Sequence, residues 1–240
     1  MNNLNAVSLA AMQEKLTGKI SLSNRIAMPE IKTISGVDLA YWEKDGSEYA
    51  VCCIVTLDYA TRAVTETKHY SGEIKLPYKP GFLSFRELPL VLGAYDLLEQ
   101  KPDLLMFDGN GYLHYRHMGI ATHAALKLNT PAIGIAKSYL KISGIDYSMP
   151  KNEAGAYTDI IIHGEVYGRA LRTHQDVKPI FVSCGNWIDL DTATEITLNM
   201  VTPESRQPLP TRMAGIEVRA LRRRLMVWEK EWNPFCLHIR

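Results

Sequence analysis

The pattern of apolar and polar positions predicts a first helix, then three strands, then helices that alternate with strands. Apolar residues such as Val7, Leu9 and Met12 recur at helical spacing. A continuous apolar run over 49–58 is typical of a strand buried on both faces. The predicted strands are 31–42, 49–58, 62–74, 103–107, 131–136 and two or three within 158–183. The predicted helices are 6–20, a run after Ser84, 117–128, 192–200 and 211–230.

This order of elements indicates an α/β fold. Three strands in succession with short gaps favour an antiparallel meander. The alternation that follows predicts a mixed sheet with helices against its faces. No repeat, low-complexity tract or linker divides the 240 residues, so we expect a single domain over 1–240.

The composition is that of an ordinary globular chain, with 46% hydrophobic and 22% charged residues. The net charge of +1 means that any contact with nucleic acid must come from local patches. One such patch is the arginine cluster over 219–224. It is either a contact for a nucleic-acid backbone or a solvated helix face.

The cysteines and the N-terminus predict a cytoplasmic protein. The cysteines, at positions 52, 53, 184 and 236, lack metal-ligand spacing and favour buried free thiols in a reducing compartment. The N-terminus lacks the pattern of a secretory signal, and no apolar run reaches the roughly 20 residues needed to span a bilayer. We therefore expect no membrane partner.

The segment 104–123 carries the strongest chemical signal. An apolar strand ends in Asp108, and a carboxylate at the tip of a buried strand is costly unless something binds it. Gly109 and Gly111 allow a backbone or a ligand to approach closely. These features and the basic residues downstream indicate a site for a metal and a phosphate. The alternative is a turn in which Asp108 is only a cap.

Three acids stand out by position: Asp38 within a strand, Glu87 in the first turn of a helix and Asp108 at a strand tip. Mg²⁺ and Mn²⁺ prefer oxygen ligands, and such metals promote phosphodiester cleavage. Lys137 follows a neighbouring strand and could contact a phosphate or orient water, while His114 could bind phosphate or carry a proton near pH 7. Glu87 is also in capping-box spacing with Ser84, with Pro89 in the first turn of the same helix.

Four segments follow one another along the chain: IKTISGVDLAYW, LPYKPGFLSFRELP, DLLMFDGNGYLHYRHMGIATH and TPAIGIAKSYL. Together they resemble the endonuclease V family, which cleaves next to deoxyinosine. The resemblance covers about residues 5–213 and leaves a C-terminal extension at about 214–240 that is atypical of the family. It implies a ribonuclease H-like fold, Asp38, Glu87 and Asp108 as metal ligands, and His114 and Lys137 as residues that assist in the active site.

The resemblance also implies residues that recognise the lesion. A rigid wedge that enters the duplex falls on Pro77, Tyr78, Lys79 and Pro80, where prolines stiffen the loop and a ring can fill a gap in the base stack. A tight pocket would hold hypoxanthine and exclude the exocyclic amine of guanine. The residues implied for this pocket are Gly81, Leu83, Gly109, Gly111, Ile120 and Leu140.

The chain departs from the family pattern at several positions. Asn110 stands where histidine is usual, and Tyr115 stands where proline is usual. Lys79 replaces a common apolar residue in the wedge. Gly215 lies where members of the family often carry an acid.

The resemblance, together with the three acids, predicts a metal-dependent repair endonuclease that nicks the second phosphodiester bond 3′ to deoxyinosine. The expected cofactor is Mg²⁺, with Mn²⁺ as the alternative, and the expected partner is DNA that contains deoxyinosine. An inosine-specific endoribonuclease acting on single-stranded RNA is one alternative function. A non-catalytic protein that binds inosine or nucleic acid is another. We expect a monomer.

Overall fold

The computed structural model describes residues 5–231. Their elements follow the predicted order, although several boundaries move by a few residues. The helices are α1 (Ala6–Thr17), α2 (Leu83–Asp96), α3 (Ile120–Leu128), α4 (Leu190–Asn199) and α5 (Leu209–Glu231), with a short 3₁₀ turn at Met28–Glu30. The strands are β1 (Thr33–Lys44), β2 (Ser47–Asp58), β3 (Val64–Glu73), β4 (Leu104–Asp108), β5 (Ala132–Ala136), β6 (Tyr157–Ile162), β7 (Glu165–Leu171), β8 (Ile180–Asn186), β9 (Val201–Thr202) and β10 (Ser205–Pro208).

Eight of these strands form one mixed sheet in the order β3-β2-β1-β4-β5-β8-β7-β6. The first three strands pair antiparallel, which confirms the predicted meander. Strands β1, β4 and β5 run parallel to one another, and β8 and β7 then pair antiparallel. The carboxyl ends of the parallel strands β4 and β5 therefore lie at the same edge of the sheet.

Helices cover both faces of the sheet, as the α/β pattern predicts. One core contains apolar residues of α2 and α3, and the opposite core contains residues of α4 and α5. Strand β1 supplies both cores because successive side chains point to opposite faces. Val37 lies in the core under α2, whereas Ala40 lies in the core under α5.

The structure corrects three local predictions on the helices. Helix α2 begins at Leu83, with Phe82 as the preceding cap residue, and Ser84 Oγ instead lies 3.0 Å from His123 Nδ1. Glu87 is therefore in the second turn and is not a capping-box partner. Pro89 lies inside α2 rather than in its first turn.

Two further corrections concern the C-terminal third of the chain. Helix α4 begins at Leu190 rather than at 192, because Asp189 caps it by accepting a hydrogen bond from Thr192 N. The segment between the predicted helices 192–200 and 211–230 also contains a strand that was not predicted, β10, which pairs with β9. The hairpin depends on backbone pairing and the cap on a hydrogen bond between a side chain and the backbone, and composition alone reveals neither.

Cys52, Cys53 and Cys184 are buried free thiols, as predicted, and Cys236 lies outside the described residues. Within residues 5–231, no helix is both long enough and apolar enough to cross a membrane. The extension predicted from about 214 continues α5 to Glu231, and its remainder is not described.

Candidate active site

Two of the predicted acids lie side by side on parallel strands. Strand β1 pairs with β4 so that Val37 is opposite Phe107, and the next residues along the two strands are Asp38 and Asp108. The Asp108 side chain is only 11% exposed. Asp38 Oδ1 accepts a hydrogen bond of 2.8 Å from the backbone N–H of Leu39. Register thus brings together two carboxylates that are 70 positions apart in the chain.

The two neighbouring carboxylates disfavour each other's charge. Burial raises the pKa of Asp38 to about 7, and repulsion from Asp108 acts in the same direction. The positive charges of Lys137 and Arg219 partly oppose this rise. A bound cation would relieve both the desolvation and the repulsion, so the pair has the electrostatics expected of a cation site.

Glu87 approaches this pair from the other side of the sheet. It belongs to α2, and its Oε1 accepts a hydrogen bond from the hydroxyl of Tyr41. Burial raises the pKa of Glu87 to about 7, while the Tyr41 hydrogen bond lowers it and repulsion from Asp38 and Asp108 raises it further. All three predicted acids therefore interact electrostatically.

A closed cluster of three ligands is absent from the part of the chain that the structure describes. No three histidine, cysteine, aspartate or glutamate side chains within residues 5–231 converge closely enough to hold a metal by themselves. Glu87 is held by Tyr41 on the α2 side, whereas Asp38 lies towards α5. Mg²⁺ commonly binds through one or two carboxylates and completes its shell with water and substrate phosphate. The oxygen donors of Asp38 and Asp108 fit that kind of site.

Lys137 reaches the acids from the end of β5. Its ammonium donates a hydrogen bond to Asp108 Oδ2 and forms an ion pair with it. The Lys137 side chain remains 38% exposed, so the cation borders both the buried carboxylate and the surface. This is the position that the sequence predicts for a cation at the end of a neighbouring strand.

His114 is buried and uncharged at neutral pH. Burial lowers its pKa to about 4, and the charges of Arg116 and His117 lower it further. Its Nδ1 accepts a hydrogen bond of 3.3 Å from the backbone N–H of Arg116, which assigns the single ring proton to Nε2. His114 is therefore a neutral ring near pH 7, and the alternative in which it carries an extra proton at that pH is not supported.

The predicted wedge lies in the loop between β3 and α2. Tyr78 is 62% exposed, and the Arg86 guanidinium lies 6.0 Å from its ring centroid. A turn follows, in which Phe82 N donates to Lys79 O at 3.0 Å. The loop thus presents an aromatic ring to solvent beside a fixed cation.

The residues predicted for the base pocket form two groups and one outlier. Gly109 lies so close to Ile120 that an added Cβ would be 2.8 Å from its Cγ2. Gly111 is packed against the Cys184 carbonyl, where an added Cβ would be 2.2 Å from the oxygen. These approaches favour glycine because a side chain would displace Ile120 at the first position and backbone at the second.

The second group lies at the start of α2. Gly81 has φ +80°, and an added Cβ would meet the side chains of Arg116 and Tyr115 at 3.0 and 3.3 Å. Leu83 is 38% exposed. Leu140 is the outlier, since it packs on a third apolar cluster that includes Leu113.

The departures from the family pattern also lie close to the site. Asn110 Oδ1 is buried and has no hydrogen-bond partner among the described residues. Tyr115 is 43% exposed, and its ring lies 5.5 Å from that of His114. At Gly215 an added Cβ would lie 3.0 Å from Asp38 Oδ2 and 3.3 Å from Arg219 Nη1. Glycine at this position leaves room for Arg219 beside Asp38.

Sequence reasoning missed two polar side chains near the predicted residues. The strand pattern identifies Tyr41 only as part of a strand, yet its hydroxyl holds Glu87. Gln13 lies in the first helix, where its burial alone distinguishes it from exposed neighbours. A polar residue on the apolar face of that helix was the available signal.

Known proteins resemble this chain over most of its length. The family model for endonuclease V matches residues 14–216. Endonuclease V of Bacillus thuringiensis subsp. konkukian is 55% identical over 94% of this chain and 98% of its own length. The crystal structure of Bacillus subtilis endonuclease V matches with a TM-score of 0.90 and 54% identity, over 96% of this chain and 95% of that chain.

A more distant relative has been crystallised with an oligonucleotide. A variant of Ciona intestinalis endonuclease V, in complex with a 23mer DNA containing an inosine followed by a ribo-adenosine, matches with a TM-score of 0.83 and 28% identity. The match covers 94% of this chain and all of that chain. The shared architecture confirms the expected ribonuclease H-like fold. On the family-model match and these identities, the chain belongs to the endonuclease V family.

Proposed function

We propose that the protein is a DNA repair endonuclease that recognises deoxyinosine and nicks the second phosphodiester bond on its 3′ side. Membership of the endonuclease V family makes it a nuclease. The observation that carries the proposal is the position of Asp38 and Asp108, which directly follow the last paired residues of the parallel strands β1 and β4. The inosine-containing DNA bound by the Ciona relative supports the choice of substrate.

The proposed metal ligands are Asp38, Asp108 and Glu87. Carboxylate oxygens favour Mg²⁺, with Mn²⁺ as the alternative, and a divalent metal bound here would supply an activated water and relieve charge on the phosphate. Asp38 and Asp108 would bind from the two strands. Glu87, fixed by Tyr41, would complete the acidic environment from α2.

Lys137 and His114 have different proposed tasks. Lys137 orients Asp108 through its ion pair, and its exposed side is free to contact a phosphate oxygen of the substrate. His114, with its proton on Nε2, is a neutral ring whose N–H is taken by the Gly81 backbone. Its proposed task is therefore to fix the loop that carries Gly81, and it does not act as a general acid through an imidazolium.

Recognition is proposed to lie in the loops around Gly81 and Gly109. Tyr78, flanked by Pro77 and Pro80, would fill the space that the extruded base leaves, with Lys79 beside it. The close packing of Gly109 against Ile120 favours a pocket without room for an exocyclic amine. The remaining proposed pocket residues are Gly81, Leu83, Gly111 and Leu140.

We further propose that residues 1–240 act as a single domain and as a monomer in the cytoplasm. The family model ends at residue 216, so the arginine-rich part of α5 lies largely beyond it. We propose that this part of α5 is a solvated helix face, because Arg223 and Arg224 are exposed.

One assay tests the function directly. Duplex DNA with a single deoxyinosine is incubated with Mg²⁺, with Mn²⁺ and with EDTA, and the position of the nick is mapped on a sequencing gel. We expect a metal-dependent nick at the second bond 3′ to the lesion. A matched duplex with guanine in place of hypoxanthine serves as the control. Equal cleavage of both duplexes would contradict lesion recognition.

A matched RNA oligonucleotide decides between the two nuclease functions. The oligonucleotide of the Ciona complex has a ribo-adenosine after the inosine, which favours testing the RNA alternative for this chain. Faster cleavage of single-stranded inosine RNA than of the DNA would replace the proposed substrate. Tight binding of inosine with no cleavage under any metal would instead indicate a non-catalytic binder.

A further inference from the structure

Helix α1 carries a polar side chain on the face that packs against the rest of the protein. Its two buried residues are Leu9 and Gln13, and each is 0% exposed. They are four positions apart and therefore lie on the same face. A buried amide is costly unless its groups are hydrogen-bonded, whereas a leucine would dock the helix at no such cost. The partners of Gln13 therefore indicate what it contributes.

The Gln13 amide joins two loops that are distant in the sequence. Its Nε2 donates to the carbonyl oxygen of Gly81 at 3.1 Å and lies 3.4 Å from that of Met118. Its Oε1 accepts a hydrogen bond of 2.5 Å from Arg116 Nε. Gly81 directly follows the wedge, while Arg116 and Met118 closely follow His114. One side chain of α1 therefore bridges the wedge loop and the His114 loop.

The carbonyl of Gly81 is the centre of this bridge. Arg116 Nη2 donates to the same oxygen at 3.1 Å, and His114 also hydrogen-bonds with the Gly81 backbone. The Arg116 guanidinium lies 4.5 Å from the ring centroid of Phe82, the next residue. Because Gly81 has φ +80°, its peptide orientation is accessible mainly to glycine and is fixed here by surrounding donors.

We propose that Gln13 is a positioning residue for lesion recognition, holding the wedge loop and the His114 loop in one fixed arrangement through Gly81 and Arg116. The helix α1 thereby becomes part of the recognition apparatus although it supplies no group to the base. A loop already held in its binding conformation loses less freedom when substrate binds. The inference rests on the proposed function, because it assigns a role within that same reaction.

The first test compares Gln13→Met with Glu14→Met. Methionine keeps the length of glutamine but removes every hydrogen bond, and Glu14 is an exposed neighbour on the same helix. For Gln13→Met we expect KM for the deoxyinosine duplex to rise about tenfold, the effect of losing one or two hydrogen bonds. The expected change in kcat is less than about twofold, because the strand-borne acids are untouched. Glu14→Met is expected to match the wild type.

A second comparison separates positioning from general stability. Leu9→Ala weakens the docking of α1 without touching the hydrogen bonds, so it is expected to lower Tm more than Gln13→Met while raising KM less. Gln13→Glu keeps an acceptor for Arg116 but loses both donors, and we expect a KM increase of about threefold. If Gln13→Met does not fold, Gln13→Glu decides the question.

A double-mutant cycle tests the proposed route of action. Combined with Arg116→Met, Gln13→Met should add little to the KM increase, because each change breaks the same bridge. Unchanged KM in both Gln13 variants would overturn the inference. So would KM changes in the Gln13 and Leu9 variants that simply follow their Tm losses. Nicking by the wild type in the same assay shows whether the proposed function itself holds, independently of these outcomes.

Discussion

The three acids and the loops proposed to recognise the lesion are positioned in different ways. Asp38 and Asp108 are residues of neighbouring strands, so their positions are set by the ladder of backbone hydrogen bonds. The wedge and His114 lie in loops, and their positions depend on a few side chains such as Gln13 and Arg116. Groups that share a metal need a rigid scaffold, whereas groups that receive an extruded base need surface loops.

This comparison predicts that substitutions on the strands abolish cleavage but preserve binding of the duplex. Substitutions in the loops should instead weaken recognition of the lesion but preserve the rate of the cleavage step. The largest effect is expected for Asp108→Asn, which keeps the shape of the side chain but removes the charge. We expect nicking of the deoxyinosine duplex with Mg²⁺ to fall by at least about 10³-fold, as for loss of a principal electrostatic group. Single-turnover gel assays measure the rate, and mobility shifts measure binding.

Binding of the duplex by Asp108→Asn is expected to stay within about threefold of the wild type, because the loops are unchanged. Full activity of this variant would remove Asp108 from the site. Loss of binding and activity together would contradict the separation of the two regions.

Lys137→Met should have the next largest effect. Methionine fills similar space without the cation, so Asp108 loses its ion pair and the substrate phosphate loses a proposed contact. We expect kcat to fall about 10²-fold. The exposed Lys141, four residues later, pairs with Asp146 at the surface and provides the matched control Lys141→Met. Equal losses in both variants would indicate a general charge effect.

Acidification tests the strand region without mutation. The pKa values of Asp38 and Glu87 are raised to about 7, chiefly by burial, and a protonated carboxyl is a poor metal ligand. At subsaturating Mg²⁺ the rate should therefore fall as the pH drops below 7, by about tenfold per pH unit for each carboxyl that must be ionised to bind the metal. Saturating Mg²⁺ should move this fall in rate to lower pH. A fall that occurs at the same pH at every metal concentration would contradict the assignment of these carboxyls as metal ligands.

The same shifts predict how stability responds to pH. Because the folded-state pKa values exceed the ordinary values of 3.8 and 4.5, the folded protein binds more protons than the unfolded chain between about 4 and 7. Without metal, the contribution of these two groups to stability therefore falls as the pH rises through this range. Calorimetry at pH 8 should show Tm rising by about 5 °C or more when Mg²⁺ reaches 100 times its Kd.

The smallest effect is expected in the loops. Tyr78→Ala removes the exposed ring, and we expect KM for the deoxyinosine duplex to rise about fivefold, the lower end of the range for a stacking contact. Tyr78→Phe keeps the ring and serves as the control. A change in kcat instead of KM for Tyr78→Ala would contradict the comparison, because it would show that the loops also affect the rate of the cleavage step.

Much of the fold followed from local patterns. The meander, the strand that carries Asp108 and the buried strand that delivers Lys137 were all predicted, because apolar runs and their breaks are local signals. Helix ends were less accurate. The cap of α2 was misplaced because Ser84 finds a partner in His123, which is 39 residues away in the sequence.

The sequence by itself determined the order of elements, the family and the identity of the isolated acids, since each depends on residues close together in the chain. Only the tertiary structure decided which acids become neighbours. The parallel register places Asp38 beside Asp108, while Glu87 is held on the α2 side by Tyr41. The tertiary structure alone also revealed that Gln13 bridges two loops. Strand pairing and the burial of a single amide both depend on contacts between segments that are distant in the chain.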